Sequence, residues 1–273
     1  MKLIAIGDNV VDIYKDRNEM FPGGNALNVA VLARQYGAAE TAFIGIVGDD
    51  VEGGHIVESL KSNHVDISKI RKAYGESGKA YVDLNDEGDR IFVCSNKGGI
   101  QSKIKLRLSQ EDYEYIKDYD VLHTSIYSNL DEELPQLQKL LPISYDFSNH
   151  FTEETLKKVC PYITFAFVSG SDFSDQEIED LILFIHKLGT LNVIVTRGSK
   201  GIIMSNQHNR FLQGIEKANV IDTLGAGDSF IAGFLTSYLD GFSVKHSLKV
   251  GAVKAALTCE VNGAFGHGKQ LIT

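Results

Sequence analysis

Residues 222–230 read Asp222-Thr-Leu-Gly225-Ala226-Gly227-Asp228-Ser-Phe230. Two glycines around an alanine let the backbone turn tightly and aim several N–H groups at one point. Residues 229–239 are apolar and helix-like. The turn is therefore expected at a helix N-terminus, where free N–H groups and the helix dipole favour an anion. Asp228 then falls in the first helical turn, beside that anion. An anion hole next to a carboxylate is equipment for moving a phosphoryl group onto a hydroxyl. The competing reading is an aspartate that merely caps its helix.

Such a loop needs a scaffold. Short apolar runs at 3–6, 42–47, 121–124, 143–147, 165–168 and 193–196 read as buried parallel strands. Helix-like stretches lie between them at 26–36, 53–62, 109–117, 132–140, 153–159 and 175–188. Ser109 and Asp112 suit a capping box, and Thr152 precedes two glutamates suited to a first turn. Strands alternating with helices predict an α/β fold with a mainly parallel central sheet flanked by helices. Ligands in such sheets bind at the carboxyl ends of the strands.

One region breaks the rhythm. Residues 79–84 and 90–95 read as two strands around Asn85-Asp-Glu-Gly88-Asp89. With an extended piece after the first strand, they predict a small β lid built from about 10–16 and 77–96. The alternative is an ordinary edge hairpin. No linker or repeat interrupts the chain, so a single domain over 1–273 is expected.

Composition narrows the partners. The 273 residues are 43% hydrophobic, enough for a full core. The net charge is −9 with no basic tract, which argues against nucleic acid. Cys94, Cys160 and Cys259 form no CxxC pair, so a reduced protein without a disulfide framework is expected. No apolar run approaches the ~20 residues of a membrane span. A cytoplasmic protein acting on a small molecule is the expectation. Gly263 to Lys269 mimics part of a P-loop but lacks the Ser/Thr that would hold Mg²⁺ and the helix that must follow. No GxGxxG follows the first strand, and the histidines show no metal-binding spacing.

The chain resembles the ribokinase-like sugar kinases, or phosphofructokinase-B family. Gly23-Gly24-Asn25-Ala-Leu-Asn28 near the start and the 222–230 loop near the end carry the likeness, supported by Thr196-Arg-Gly198-Ser-Lys-Gly201. Gly7-Asp8-Asn9-Val-Val-Asp12 and Tyr145-Asp146-Phe-Ser148 resemble the fructoselysine kinase branch in particular. The resemblance implies a ribokinase-like fold and transfer of the ATP γ-phosphate to a primary sugar hydroxyl, with ATP and Mg²⁺ and in some relatives a monovalent cation such as K⁺. Asp228 would be the catalytic base, with backbone N–H groups of Gly225, Ala226 and Gly227 on the phosphate. Gly23, Gly24, Asn25, Asn28 and Asp12 would hold the sugar, or else form a Gly-Gly turn and a helix cap. Asp8 would meet a cationic fructosamine nitrogen, or lie solvated at a strand end. His123 and Tyr127 are further candidates for the pocket lining.

Thr196, Gly198, Gly201 and Thr223 match the nucleotide-binding positions, whereas Arg197 and Lys200 are expected to be solvated. Many relatives carry Asn-x-x-Glu after the strand at 165–168. Here the segment is Ser169-Gly-Ser-Asp172, leaving Asp172 to reach Mg²⁺ through water. The implied substrate is fructoselysine or another fructosamine, phosphorylated on its 6-hydroxyl. A fructokinase or ribokinase-type enzyme acting on a free sugar is the alternative, and a non-catalytic sensor is the rival from another class. The lid edge offers a surface for a homodimer.

Overall fold

The apolar runs form a layered sheet structure. The computed structural model describes residues 1–84 and 90–271. The first third of the chain contains β1 (Lys2–Ile6), β2 (Val10–Tyr14), β3 (Glu19–Gly23), α1 (Asn25–Gln35), β4 (Glu40–Ile44), β5 (Ile46–Gly48), α2 (Val51–Ser62), β6 (Arg71–Ala73), β7 (Lys79–Leu84) and β8 (Arg90–Ser95). The middle contains α3 (Gln110–Ile116), β9 (Val121–Ser125), α4 (Leu134–Leu137), β10 (Ile143–Asp146), α5 (Glu153–Val159), β11 (Phe165–Ser169), α6 (Asp175–Lys187) and β12 (Asn192–Thr196). The end contains β13 (Ile202–Ser205), β14 (Arg210–Gln213), α7 (Ala226–Leu239), α8 (Val244–Thr258) and β15 (Lys269–Gln270).

Eight strands form the central sheet in the order β14-β13-β12-β11-β10-β9-β1-β4. The six from β12 to β4 run parallel, and the β13–β14 hairpin is antiparallel. Alternate residues of β1 serve opposite faces, as a period of two requires. Leu3 and Ala5 join the core beneath α1, α2, α7 and α8. Ile4 and Ile6 join the core shared with α3, α4, α5 and α6. From β1 the chain adds β4 on one side and later β9 on the other. That reversal is a switch point, where the carboxyl ends of the strands leave a crevice.

A second sheet has the order β15-β3-β2-β7-β8. The expected lid strands β2, β7 and β8 are all present, extended by β3 and β15. The expected loop at 85–89 lies outside the described residues. Ser109 closes a full capping box on α3, and Thr152 caps α5.

Several expectations need correction. The run at 42–47 is two strands, because Gly45 ends β4 and β5 departs to pair with β6. The helix expected over 132–140 shrinks to the single turn of α4. Helix α8 and strands β3, β6, β13, β14 and β15 add to the elements expected from the sequence. The P-loop mimic holds no helix, and its Lys269 pairs in β15 with Met20 of β3. Among the described residues no helix is long and apolar enough to cross a membrane.

Candidate active site

The loop before α7 is shaped by one obligatory glycine and one dispensable to the fold. Gly225 sits at the N-cap with φ 74°, a left-handed conformation, and a Cβ there would lie 2.3 Å from the Ala264 Cβ. A Cβ on Gly227 would meet nothing within 4 Å. That open space lies over the first turn of α7, whose N-terminus no side chain caps. First-turn N–H groups without intrahelical partners beside vacant space fit a phosphate. Asp222 ties the loop down. It accepts from Leu224 N–H (2.9 Å), from Gly263 N–H (3.0 Å) and from the Tyr14 hydroxyl of β2.

Asp228, third residue of α7, is gripped by α1. Asn25 Nδ2 donates to one carboxylate oxygen and Asn28 Nδ2 to the other, each at 2.6 Å. Both asparagines lie on the buried first turn of α1, three residues apart and so on one face. Burial pushes the Asp228 carboxyl up to about 6, helped by the charges of Asp8 and Asp12 and opposed by the two amides. A base poised there is ionised at neutral pH yet basic enough to take up a developing proton.

Asn25 Nδ2 also donates to Asp146 Oδ2 at 2.9 Å, from the carboxyl end of β10. The Ser148 N–H holds the other Asp146 oxygen at 2.9 Å. Burial raises Asp146 to about 7, with the charges of Asp228 and Asp8 acting in the same direction. Among the described residues no lysine or arginine forms an ion pair with Asp8, Asp146 or Asp228. Asp146 was not singled out from sequence as a site residue. An acidic residue closing a buried parallel strand was the available signal.

Asp8 is not a solvated strand-end residue. Its carboxylate accepts from the Asn25 and Ala26 N–H groups (2.6 and 3.3 Å) and from the Ser125 and Ser128 hydroxyls (2.7 and 2.9 Å). It is buried rather than solvated. It caps α1 from across the crevice, while Gly24 occupies the formal cap position. Asp12 lies on β2 in the second sheet, against Gly23. A Cβ on Gly23 would fall 2.1 Å from Asp12 Oδ2, so the glycine makes room for that carboxylate.

His123 does not line the pocket. It is wholly buried on β9 behind Asn25, with Nε2 2.8 Å from Asn25 Oδ1. Tyr127 is exposed at the mouth, its hydroxyl 3.0 Å from both the Ser148 Oγ and the His150 Nδ1.

Thr196, Gly198 and Gly201 occupy the end of β12 and the turn into β13. Thr223 is exposed just before Gly225, its carbonyl accepting the Ala226 N–H at 3.3 Å. Lys200 is exposed as expected. Arg197 is not solvated: it donates to Asp175 (3.2 Å) and to the Lys200 carbonyl (2.9 Å), locking the turn to α6. Asp172 is exposed on the turn after β11. Among the described residues no group of three or more His, Cys, Asp or Glu could cage a metal. Mg²⁺ needs only one or two carboxylates when it arrives on nucleotide phosphates. The donor set thus fits a metal carried by the nucleotide.

Comparison with known proteins gives this arrangement its relatives. The pfkB family carbohydrate kinase model matches residues 1–266. The chain is 51% identical over 268 residues to the fructosamine kinase FrlD of Bacillus subtilis, covering 98% of this chain and 94% of that protein. It is 37% identical over 267 residues to the fructoselysine 6-kinase of Escherichia coli K12, covering 97% of this chain and all of that one (100%). Among solved structures, Arabidopsis thaliana ribokinase with ribose and ATP superposes with TM-score 0.82 at 22% identity, over 96% of this chain and 93% of that one. A putative ribokinase II from E. coli, in complex with ATP and Mg²⁺, gives 0.81 at 22%, over 97% and 94%. The fold is ribokinase-like, and the chain belongs to the pfkB family of carbohydrate kinases.

Proposed function

We propose that this kinase phosphorylates the 6-hydroxyl of fructoselysine or a related fructosamine, with ATP as donor. The observation that carries the reading is the Asp228 carboxylate, held by Asn25 and Asn28 at the open N-terminus of α7. Asp228 orients the acceptor hydroxyl for in-line attack and takes its proton as the new O–P bond forms. The Gly225–Gly227 turn offers N–H groups to the transferring phosphoryl group. Mg²⁺ carried on the nucleotide would supply neutralisation of the phosphate charge. Gly23, Gly24, Asn28 and Asp12 form the sugar subsite, Asn25 acts there through the Asp228 and Asp146 carboxylates it holds, and the second sheet covers it. Thr196, Gly198, Gly201 and Thr223 lie on the nucleotide side, with Asp172 as a water-mediated metal contact. A monovalent cation near Thr223 belongs to the same reading.

Asp8, Asp146 and Asp228 stand close together with no lysine or arginine paired to them among the described residues, which disfavours sugar phosphates and favours a cationic acceptor. A fructosamine carries a secondary ammonium. Asp8 already accepts four hydrogen bonds from the start of α1 and two serines, so Asp146 is the carboxylate assigned to that nitrogen. Three free cysteines suit a reducing cytoplasm. The edge strand β8 suits pairing with a second copy, which light scattering tests.

A panel of fructoselysine, fructose, ribose and tagatose 6-phosphate tests the substrate. The expected order of kcat/KM places fructoselysine at least about 100-fold above fructose, an ammonium–carboxylate pair in a desolvated site being worth about 3 kcal/mol. Higher kcat/KM on free fructose overturns the assignment. Asp146→Asn narrows the gap if Asp146 meets the nitrogen.

A further inference from the structure

Asn25 faces two carboxylates with one side-chain amide, and its orientation has a visible cause. Carboxylates accept hydrogen bonds, so the NH₂ end must point at Asp228 and Asp146, at 2.6 and 2.9 Å. The amide oxygen is then forced to the opposite side, into the protein. Asn25 is 8% exposed, and an unsatisfied oxygen there would carry a desolvation penalty. His123 Nε2 meets that oxygen at 2.8 Å.

The histidine is itself oriented. Its Nδ1 lies 2.9 Å from the Ser144 Oγ, and both residues are fully buried on neighbouring strands β9 and β10. An amide oxygen only accepts, so Nε2 carries the hydrogen. Nδ1 is left to accept from the Ser144 hydroxyl. The ring is neutral, in keeping with the burial that lowers its proton affinity to about 3. One directed chain results: Ser144 Oγ–H to Nδ1, Nε2–H to Asn25 Oδ1, and both Asn25 N–H groups to carboxylates.

We propose that His123 is a positioning residue for phosphoryl transfer, holding the Asn25 amide so that its two hydrogens fix Asp228 and Asp146 in one arrangement. The proposal rests on Asp228 as the base. His123 touches neither sugar nor nucleotide and acts only through Asn25. Without the Nε2–H, a flipped amide turns its oxygen on the carboxylates, and Asp228 keeps Asn28 as its remaining amide donor. A base displaced by about 1 Å costs on the order of 100-fold in rate.

The test uses the full chain with ATP and fructoselysine, and compares His123→Phe, His123→Gln, Ser144→Ala and Asp228→Asn. His123→Phe is expected to lower kcat about 10–100-fold while KM for ATP stays within about twofold. His123→Gln restores kcat to within about threefold, because its amide N–H can serve the same oxygen. Ser144→Ala lowers kcat about 2–5-fold, and adds nothing on top of His123→Phe. A His123→Phe kcat within about twofold of the parent, with Asp228→Asn inactive, overturns the role of His123 and leaves the base assignment standing. Equal losses in the Phe and Gln variants also overturn it, since ring volume would then be the cause. If His123→Phe does not fold, Ser144→Ala decides: a fall in kcat at constant KM supports the proposal, and an unchanged kcat overturns it. An active Asp228→Asn removes the base assignment itself.

Discussion

Asn25 and Asp228 stand 203 residues apart in the chain, and an Asn25 amide hydrogen bridges them over 2.6 Å. The bond joins the first residue of α1 to the third residue of α7. One carboxylate is thereby placed at the N-terminal ends of two helices, each with partial positive charge. Burial and the charges of Asp8 and Asp12 still outweigh the stabilising amides and leave Asp228 at about 6.

Asp228→Asn is expected to lower kcat at least about 1,000-fold, within the range general-base removal commands. ATP affinity by calorimetry stays within about threefold, because the Gly225–Gly227 turn is untouched. In the parent enzyme kcat/KM is expected to fall as pH drops through about 6, where burial leaves Asp228 taking up a proton. Asn28→Leu removes a hydrogen bond that favours the ionised form, so the acid limb moves to higher pH. A pH-independent rate between 5 and 7 contradicts the assignment.

Asp146 carries a stability signature of definite sign. Its carboxyl rises from 3.8 in the free residue to about 7 in the fold. The folded state therefore holds the proton more tightly than the unfolded chain, and stability falls as pH rises from about 4 to 7. Asp146→Asn abolishes that loss. Its Tm is expected to match the parent near pH 4 and to exceed it at pH 8 by about 2–4 °C, equivalent to about 1 kcal/mol. A lower Tm at pH 8 counts against a strained carboxylate here.

The two loop glycines should separate fold from chemistry. Gly225→Ala meets Ala264 and a left-handed backbone, and is expected to cost about 2–3 kcal/mol of stability by denaturant titration. Gly227→Val meets open space, keeps Tm within about 2 °C, and blocks the phosphate, with activity down at least about 100-fold. Equal stability losses in both variants would contradict the division.

Asp8→Ala strips acceptors from two backbone N–H groups and two buried hydroxyls. A stability loss of about 2–3 kcal/mol is expected. The ratio of fructoselysine to fructose activity should not change, in contrast to Asp146→Asn. A selective loss of fructoselysine activity in Asp8→Ala would return the substrate nitrogen to Asp8.

The parallel strands were legible because each is a short segment buried on both faces, mainly apolar in β1, β4, β11 and β12 and opened by an apolar residue in β9 and β10. The Gly225–Asp228 turn was legible because its residues allow little else. The short strands β3 and β15 were not, since Glu19-Met-Phe-Pro-Gly23 holds a proline and Lys269–Gln270 shows no alternation. Their pairing is a tertiary fact. α8 was hidden by a sequence with polar residues spread around it. In the site, residue types and spacing suggested Asp228, and the family resemblance implied Asp8, Asp12, Asn25 and Asn28. The partners did not follow from types: Asp8 became a cap, His123 a buried support, and Asp146 entered the site, all through contacts between distant segments.

Helix α1 also has a history within each molecule made. It is buried from Asn25 to Ala33, apolar there but for Asn25 and Asn28, and α7 covers part of it. Strands β1 and β4 emerge from the ribosome close to α1 in time, but α7 follows some 200 residues later. At ~5–20 residues per second, that side of α1 waits about 10–40 s for its cover. Throughout that interval an oily helix, with the Asn25 and Asn28 amides still lacking Asp228, is open to chaperones and to neighbouring nascent chains. The bond that completes the site is therefore among the last contacts made during synthesis.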